Sequence, residues 1–426
     1  MEFKRYKLGT IAKTSSGATP TSTKKIYYEG GTIPWINSGE LSNPFIDKAN
    51  NYITKLGFDN SSTKMYAPNE TVLLAMYGAT AGKAALLQIE ACTNQAICAI
   101  IPDQSIVDPL FLKYKLDTMY NYLVGLSSGS ARDNLSQTGI SNLTIDIPSL
   151  AIQKRISKVL YSLDRKIALN RAINQNLDAL AKQLYDYWFV QFDFPNEEGR
   201  PYKSSGGKMV WNDALKRHVP SIWSFKNLKD VACFVKDKVE TSKLNLNTYI
   251  STENMQPNRG GISIASNLPN TNYVTACNCG DIVIANIRPY FKKIFLIPTN
   301  GFGCSSDVLC IRANDLMYSR FVYGTLSDDA FFDYVMSGAK GSKMPRGDKE
   351  QIMQYPVIVP NKELVEAFNC VVYPIHSQIH LYRKQAESLT KQRDELLPLL
   401  MNGQVSLNSD LYDFVYIIYG LIFQYL

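Results

Sequence analysis

The sequence predicts an α+β protein built as a tandem repeat of a small α/β domain followed by a long helix, with the two helices pairing as an antiparallel coiled coil. Two observations carry this prediction. Four blocks of the first half of the chain recur in the same order in the second half. Two long segments also carry matching heptad stripes of apolar residues.

The internal repeat is visible when the chain is aligned with itself. The paired blocks are WINSGEL at 35–41 with YISTENM at 249–255, ETVLLA at 70–75 with GDIVIA at 280–285, CTNQAIC at 92–98 with CSSDVLC at 304–310, and ISNLTIDIP at 140–148 with IMQYPVIVP at 352–360. The alignment places both cysteines of the third pair in register, at an offset of 212 (304 minus 92). Four ordered matches predict a tandem duplication of a unit of about 210 residues.

Each repeat opens with short apolar runs bounded by Gly, Pro, Asn or Asp, a pattern typical of strands. The runs are PWIN, VLLAMYG, AICAIIP and LTIDIP in the first repeat, and DIVIANI, KIFLIP, DVLCI and YPVIVP in the second. Before the last run of each repeat, one segment has the apolar spacing of short helices. These segments are DPLFLKYKLDTMYNYLVG in the first repeat and SRFVYGTLSDDAFFDYVMSG in the second. The sequence therefore predicts the same small α/β domain twice.

A long helix is predicted after each domain, because 151–188 contains no Pro or Gly and its apolar residues alternate at spacings of four and three. The first predicted seam is Ile156, Leu160, Leu163, Ile167, Asn170, Asn174, Leu177, Ala181, Leu184 and Trp188. Its counterpart 212 residues later is Phe368, Val372, Ile375, Ile379, Tyr382, Ala386, Leu389, Arg393, Leu396 and Leu400. Because such stripes cannot stay exposed, we expect the two rods of roughly 55 Å to pair with each other.

A pseudo-twofold arrangement favours the antiparallel orientation of this pair, with one globular domain at each end. Asn170 and Asn174 leave two interpretations open, since they either set the register of the pair or mark a solvated helix end. The predicted boundaries are a first domain at 1–148, a first long helix at 149–190, a linker at 191–220, a second domain at 221–360, a second long helix at 361–402 and a tail at 403–426.

Composition narrows the class of protein. The formal net charge of +7 permits an anionic partner without requiring one. The N-terminus, MEFKRYKLGTIAK, lacks the apolar core of a signal peptide, so we expect a cytoplasmic protein without a membrane partner. The eight cysteines include no C-x-x-C pair, which predicts reduced, mostly buried thiols rather than a zinc or redox site.

Motifs that resemble catalytic or metal sites are incomplete. In YGATAGKA, at 77–84, the glycines are one residue too close for a phosphate-binding P-loop, and Ala84 replaces the hydroxyl residue that would bind Mg²⁺. His376 and His380 have metal-ligand spacing, but Ser377 stands where a zinc protease has its Glu, so a role beside the helix seam is favoured. Asp164-Arg165-Lys166 has nuclease-like spacing but lies on the predicted long helix, and RPY at 288–290 is a fragment of an adenine methyltransferase motif. We therefore predict no catalytic residues and no metal site.

Polar, aromatic and basic loops remain as candidates, and Lys and Arg suit phosphates while Arg, Asn, Gln and Ser suit base edges. In the first repeat the predicted DNA-binding residues are Thr19, Thr21, Ser22, Lys24, Lys25, Tyr27, Asn37, Ser38, Tyr77, Thr80, Lys83, Arg132, Asn134 and Gln137. In the second repeat they are Asn254, Arg259, Arg288, Tyr290, Lys292, Lys293, Lys340, Lys343 and Arg346. Two similar sets of polar loops, one at each end of the paired long helices, favour binding to DNA with two separated half-sites. A non-catalytic protein-binding scaffold is the alternative.

These residues coincide with a known family. SGATPTSTKKIYYEGGTIPWINSGEL resembles the opening of the target recognition domains of specificity subunits from Type I restriction–modification systems, and YGATAGKAAL with TNQAICAI is similar to their central hairpin and following strand. LYDYWFVQFDFPNEEGRPYKSSGGKMVWN, at 184–212, resembles the segment that joins the first long helix to the second recognition domain. QRDELLPLLMNGQVSL resembles the closing helix.

The resemblance implies that this chain reads a split DNA target, that the helix pair sets the spacer, and that two methyltransferase subunits dock on the long helices. Nuclease and translocase subunits would join for cleavage. S-adenosylmethionine, ATP and Mg²⁺ would bind those partners and not this chain. One stretch departs from the family pattern: the tail at 408–426 ends in an apolar and aromatic run, 414–426, and it either packs against protein or is an incidental extension.

Overall fold

The computed structural model describes residues 2–128, 135–341 and 343–405. The chain divides into two compact units, Met1–Leu169 with Ala386–Leu426, and Asn170–Gln385. Each unit contains one α/β domain and parts of both long helices. The predicted DNA-binding residues Arg132 and Asn134, and the tail at 408–426, lie outside the described residues.

The first unit packs its strands in three groups, each in spatial order. They are Ala12–Ser16, Ile97–Pro102, Val72–Ala75, Ala84–Leu87 and Phe45–Ile46 in one sheet; Tyr52–Ile53, Ile33–Ile36 and Cys92–Thr93 in the second; and Lys4–Lys7 with Thr144–Ile147 in the third. The short helices are Leu8–Ile11, Lys55–Asp59, Pro109–Thr118, Tyr120–Ser128 and Gln137–Ser141. Asp108 caps the helix that begins at Pro109, since its carboxylate accepts a 2.8 Å hydrogen bond from the Phe111 amide.

The second unit also groups its strands into three sheets, with four strands in each of the two larger ones. Its strand groups are Ala232–Phe234, Val308–Ala313, Ile282–Ala285 and Ile294–Leu296; Lys238–Glu240, Tyr273–Cys277, Phe302–Cys304 and Tyr249–Ile250; and Ser224–Asn227 with Pro356–Val359. Its short helices are Leu228–Val231, Ser319–Ser327, Asp329–Ser337 and Lys349–Met353. A hairpin of Met209–Asn212 with Arg217–Pro220 lies in the segment that was predicted as a linker.

Strand pairing corrects the sequence alignment of the third repeat block by one residue. Ala75 pairs with Ile97 in the first unit, and its counterpart Ala285 pairs with Val308 in the second, which gives an offset of 211 (308 minus 97). Cys92 therefore corresponds to Gly303 and not to Cys304, so the two cysteines are not equivalent. Identical residues favoured an offset of 212 in the sequence alignment. Backbone hydrogen bonds, however, fix the strand register independently of side-chain identity.

The two long helices run over Leu150–Tyr185 and Lys362–Met401, and the first continues into a π-helical turn at Asp186–Val190. In the second unit the amide of Asn170 donates to Gln385 at 3.4 Å, and the rings of Trp188 and Phe368 lie 5.6 Å apart. Later residues of the first helix therefore contact earlier residues of the second helix, so the two helices are antiparallel. Every predicted seam residue is buried or half-buried.

The asparagines of the first seam lie inside the pair rather than at a solvated helix end. Asn170 and Asn174 are 8% and 7% exposed. With its amide oriented to satisfy both atoms, Asn174 donates to the Ile379 carbonyl at 3.2 Å and accepts from the Arg383 amide at 3.3 Å. Their buried polar bonds favour the register-setting interpretation.

The first unit is closed by the end of the second long helix. Leu400 and Met401 are buried in the same cluster as Leu8 and Ile156, so the end of the second long helix shares a core with the N-terminal segment. Gly403 has φ +70°, a left-handed conformation that ends the helix after Met401. In the described ranges, no helix combines the length and apolar character needed to cross a membrane.

Candidate nucleic-acid interface

The YGATAGK segment of the first unit is a hairpin turn. It joins the antiparallel strands Val72–Ala75 and Ala84–Leu87, and the Ala75 amide donates to the Lys83 carbonyl at 3.0 Å across its base. Gly78 and Gly82 have φ +89° and +80°, conformations that glycine adopts at no steric cost. The glycines of this motif therefore serve a tight turn.

The second unit builds the same turn from different residues. Its turn at 287–293 joins Ile282–Ala285 to Ile294–Leu296, and the Ala285 amide donates to the Lys293 carbonyl at 3.1 Å. Arg288 and Lys292 occupy the positions of the two glycines, with φ +52° and +51°. A residue with a Cβ carries a cost of roughly 1–2 kcal/mol in this region. The second turn therefore stores backbone strain that the first avoids.

The three loops predicted to bind DNA in the second unit converge around this turn. The amides of Asn258 and Arg259 donate to the carbonyls of Phe291 and Lys292 at 2.8 and 2.9 Å. The Arg288 amide donates to the Pro345 carbonyl at 2.8 Å, and Ile287 forms a β-bridge with Arg346. Asn258 and Arg259 also have positive φ, at +53° and +63°. Strained residues of this kind concentrate at functional sites.

Aspartates hold most of the basic side chains of this loop cluster. Asp329 accepts hydrogen bonds from Arg259 and from Lys292, whose Nζ lies 2.9 Å away. The remaining pairs are Lys340 with Asp348 at 2.6 Å and Arg346 with Asp307 at 3.2 Å, while Lys293 donates to the Thr252 carbonyl at 2.6 Å. Tyr290 and Lys343 are exposed. The cluster therefore presents cations whose positions are fixed in advance.

The bonds from Lys292 and Arg259 lower the pKa of Asp329 from its ordinary 3.8 to about 2. A lowered carboxyl pKa stabilises the fold above the unfolded pKa, and this contribution disappears as the pH falls through the folded value. We expect Asp329→Asn to cost less than about 1 kcal/mol at pH 7, since the carboxylate is 63% exposed and screened. The difference in free energy of unfolding from the wild type should narrow between pH 4 and pH 2, which urea titrations at several pH values would measure.

The control for this substitution is Asp333→Asn, at an exposed aspartate on the same helix. A narrowing that is specific to Asp329→Asn would assign the effect to the ion pairs of Asp329. An Asp329→Asn penalty that is the same at pH 7 and pH 2.5 would contradict the ion-pair explanation.

Asn254, predicted to contact DNA, is used inside its own loop. It is 5% exposed, its Nδ2 donates to the carbonyls of Tyr249 and Ser263 at 2.9 and 2.8 Å, and its Oδ1 accepts from the Ser251 amide at 2.7 Å. The structure gives this side chain the role of shaping the loop that carries Arg259.

In the first unit, several predicted residues meet around the start of the strand Ile97–Pro102. Thr19 donates to Gln95, the Asn94 amide donates to Asn37 at 3.2 Å, and the Thr80 hydroxyl donates to the Ser38 carbonyl at 2.8 Å. Asn94 and Gln95 were missed as site residues, although the repeated TNQ block was the available signal. Gln95 is exposed beside Thr19.

The other predicted residues of the first unit are more dispersed. Thr21, Ser22, Lys24, Lys25 and Tyr77 are exposed. Tyr27 is buried and its hydroxyl accepts from Lys24 at 3.2 Å, while Gln137 donates to the Thr14 carbonyl at 2.7 Å. Lys83 lines a cavity of about 340 Å³ together with Asp117, Asp164 and Arg393, so this lysine shares its cavity with carboxylates.

Neither the histidines nor the cysteines form a metal site in the structure. His376 lies edge-on to Tyr323, and burial together with Arg320 and Arg383 lowers the pKa of its imidazole to about 4. Five of the eight cysteines are buried and all eight are free thiols. Within 2–128, 135–341 and 343–405, no group of three or more His, Cys, Asp or Glu residues could hold a metal ion.

Each unit carries an α/β domain with polar loops around an equivalent hairpin turn. Residues 1–179 match the family described as the Type I restriction modification DNA specificity domain. The chain is 26% identical to the Type I restriction enzyme MjaIX specificity subunit of Methanocaldococcus jannaschii, over 94% of this chain and 92% of that protein. It is 23% identical to the HindI specificity subunit of Haemophilus influenzae, over 72% and 79% of the two chains.

A solved structure of the S subunit of a Type I restriction–modification system from M. genitalium shares the fold. It superposes with a TM-score of 0.62 at 15% identity, over 94% of this chain and 96% of that one. This likeness extends the similarity of residues 1–179 to the fold of the whole chain. The predicted fold class and the resemblance of the chain to Type I specificity subunits are confirmed.

Proposed function

We propose that this chain is the DNA sequence-recognition subunit of a Type I restriction–modification complex, and that each unit reads one half of a bipartite target. The observation that carries the proposal is the pair of equivalent hairpin turns, one per unit, each surrounded by polar loops. In the second unit these loops bring Arg259, Arg288, Lys292 and Arg346 together. Such clusters suit phosphates and base edges.

The wider assembly follows from this role. Double-stranded DNA, two methyltransferase subunits and nuclease or translocase subunits are the proposed partners, and the long helices are the proposed docking and spacing element. We propose that the chain itself is non-catalytic. S-adenosylmethionine, ATP and Mg²⁺ would then bind the partner subunits.

The experiment that tests the role is a methylome. The chain is expressed with the methyltransferase subunit of its own system, and host DNA is sequenced for modified adenine at single-base resolution. A split motif with a fixed gap, absent when this chain is omitted, is the expected result. An assembled complex that creates no new motif would favour the protein-binding scaffold. Binding to DNA, unlike binding to an uncharged protein surface, should also weaken steeply with added salt.

The spacing role makes a separate prediction. Asn170 and Gln385 face each other across the helix pair, so seven residues inserted before Asn170 and seven after Gln385 would lengthen both helices and keep the heptad seam. Seven residues add about 10.5 Å, and at about 3.4 Å per base pair the gap in the methylated motif should grow by about three base pairs. The same insertion within the hairpin loop 213–216 is the control. An unchanged gap in the doubly lengthened protein would refute the spacing role.

A further inference from the structure

Arg288 lies at a backbone position that favours glycine. Its φ is +52°, and the corresponding residue of the first unit is Gly78, with φ +89°. The two turns share their hydrogen bonds, since Phe291 donates to the Arg288 carbonyl at 3.0 Å and Ala81 donates to the Gly78 carbonyl at 3.1 Å. The fold therefore does not require a side chain at this position. Strained residues cluster at functional sites, and the turn forms without a side chain at this position. The side chain of Arg288 is therefore a candidate for a functional role.

The side chain of Lys292, the other strained residue of this turn, has a role within the protein. Lys292 replaces Gly82 at the other left-handed position, and its Nζ is 2.9 Å from Asp329. Arg259, Arg346 and Lys340 are likewise held by aspartates. These basic side chains therefore stabilise the loop cluster whether or not a ligand is bound.

Arg288 differs because its side chain is left without such a partner. Its Nε is buried and makes no hydrogen bond to any of the described residues. The neighbouring Asn286 Oδ1 is buried and unpaired in the same sense. Meanwhile the Arg288 amide is fixed to the Pro345 carbonyl at 2.8 Å, so the backbone that carries the guanidinium is anchored. The anchored backbone and the half-buried guanidinium, which has no counter-charge among the described residues, leave this cation available to a ligand.

We propose that Arg288 reads a guanine in the half-site bound by the second unit, an inference that rests on the proposed function. Guanine presents two acceptors, O6 and N7, in the major groove, and the planar guanidinium offers two parallel N–H donors to them. Lysine cannot reproduce this fork because its ammonium acts as a single charge. The first unit has glycine at the equivalent place, so the two units would read different sequences with the same turn.

The test compares three variants of the full chain in complex with the methyltransferase subunit. Arg288→Gly introduces the residue that the first unit already uses, so the turn should form and the melting temperature should not fall. Arg288→Lys keeps the charge but removes the fork. Lys216→Gly is the matched control, because it relieves the same kind of strain, at φ +52°, in the hairpin loop 213–216 and outside the loop cluster. Melting curves establish that each variant is folded.

The readouts are the methylome and the affinity for duplexes that carry the wild-type motif or single base-pair changes. Arg288→Gly and Arg288→Lys should both lose discrimination at one G·C pair of one half-site, by about 5- to 150-fold, while the other half-site is unchanged. Lys216→Gly should keep that discrimination. If Arg288→Gly retains the full motif, or weakens binding equally for all sequences as a phosphate contact would, the inference is overturned. Failure of the wild type to create any bipartite motif would instead overturn the proposed function.

Discussion

Replacing Arg393 with methionine should lower the free energy of unfolding by about 3–5 kcal/mol, because it leaves a buried carboxylate without its counter-charge. Arg393 donates to Asp164 at 2.8 Å within the first unit, and the Asp164 side chain is 5% exposed. Tyr114 also donates to Asp164, at 2.6 Å. Burial and the nearby Asp164 charge raise the pKa of the Tyr114 phenol, so this group stays a neutral donor and cannot replace the lost cation.

Urea denaturation followed by a tertiary-structure signal would measure this loss. Lys391→Met is the matched control, since Lys391 is 79% exposed and its ion pair with Glu395 is long, at 3.9 Å; it should change the free energy by less than about 0.5 kcal/mol. Adding Asp164→Asn to Arg393→Met should recover part of the loss, because the neutral amide no longer needs a counter-charge and still accepts from Tyr114. An Arg393→Met protein within about 1 kcal/mol of the wild type would show that the pair is not a structural anchor.

This ion pair also shows what local sequence patterns miss. Heptad spacing placed Arg393 on the predicted seam, but the spacing could not supply its partner. Asp164 belongs to a nuclease-like D-x-K triplet in the sequence, whereas in the structure it contacts Tyr114 and Arg393 in the first unit. The periodicity of apolar residues predicts which face of a helix is buried. It does not predict which residues pack on that face, because these come from segments distant in sequence.

The fold was more predictable than the site for the same reason. The strands, the short helices and both long helices follow from apolar runs and their periods, which are local properties of the chain. The convergence of three loops around Arg288 depends on hydrogen bonds such as the one from Arg259 to the Lys292 carbonyl, between residues far apart in sequence. The strained φ at Arg288 and Lys292 became meaningful only when the structure aligned them with Gly78 and Gly82.

Burial set a second limit on the prediction of the site. Asn254 and Tyr27 have side chains that suit nucleic acid, and composition alone could not distinguish them from exposed neighbours. Conversely, Asn94 and Gln95 were part of a recognised repeat block, but only the folded first unit brings them against Asn37 and Thr19. Side-chain chemistry selects candidates, and tertiary packing decides which of them can reach a ligand.

The π-helical turn after the first long helix places a large aromatic side chain in the core of the second unit, and truncating that side chain should destabilise the fold. The π-helical turn Asp186–Val190, with Gln191 donating to the Asp186 carbonyl at 2.7 Å, accompanies the burial of two consecutive aromatic residues, Trp188 and Phe189. The ring of Phe189 lies 4.8 Å from Phe368 and 5.0 Å from Phe321, measured between centroids, and it also contacts Trp223. One side chain thus joins the end of one long helix, the start of the other and the α/β domain.

Phe189→Ala should therefore reduce the free energy of unfolding by about 3–5 kcal/mol, through lost apolar burial and the cavity left among the surrounding rings. Phe189→Leu should cost less, because it fills most of that volume. Tyr187→Ala, at a 39% exposed neighbour in the same turn, is the control and should cost under about 1 kcal/mol. If alanine at 189 is no worse than alanine at 187 in urea denaturation, the aromatic cluster does not couple the helix pair to the domain. A large loss specific to Phe189 would show that this coupling is carried by packing, since an alanine removes no charge and no hydrogen bond.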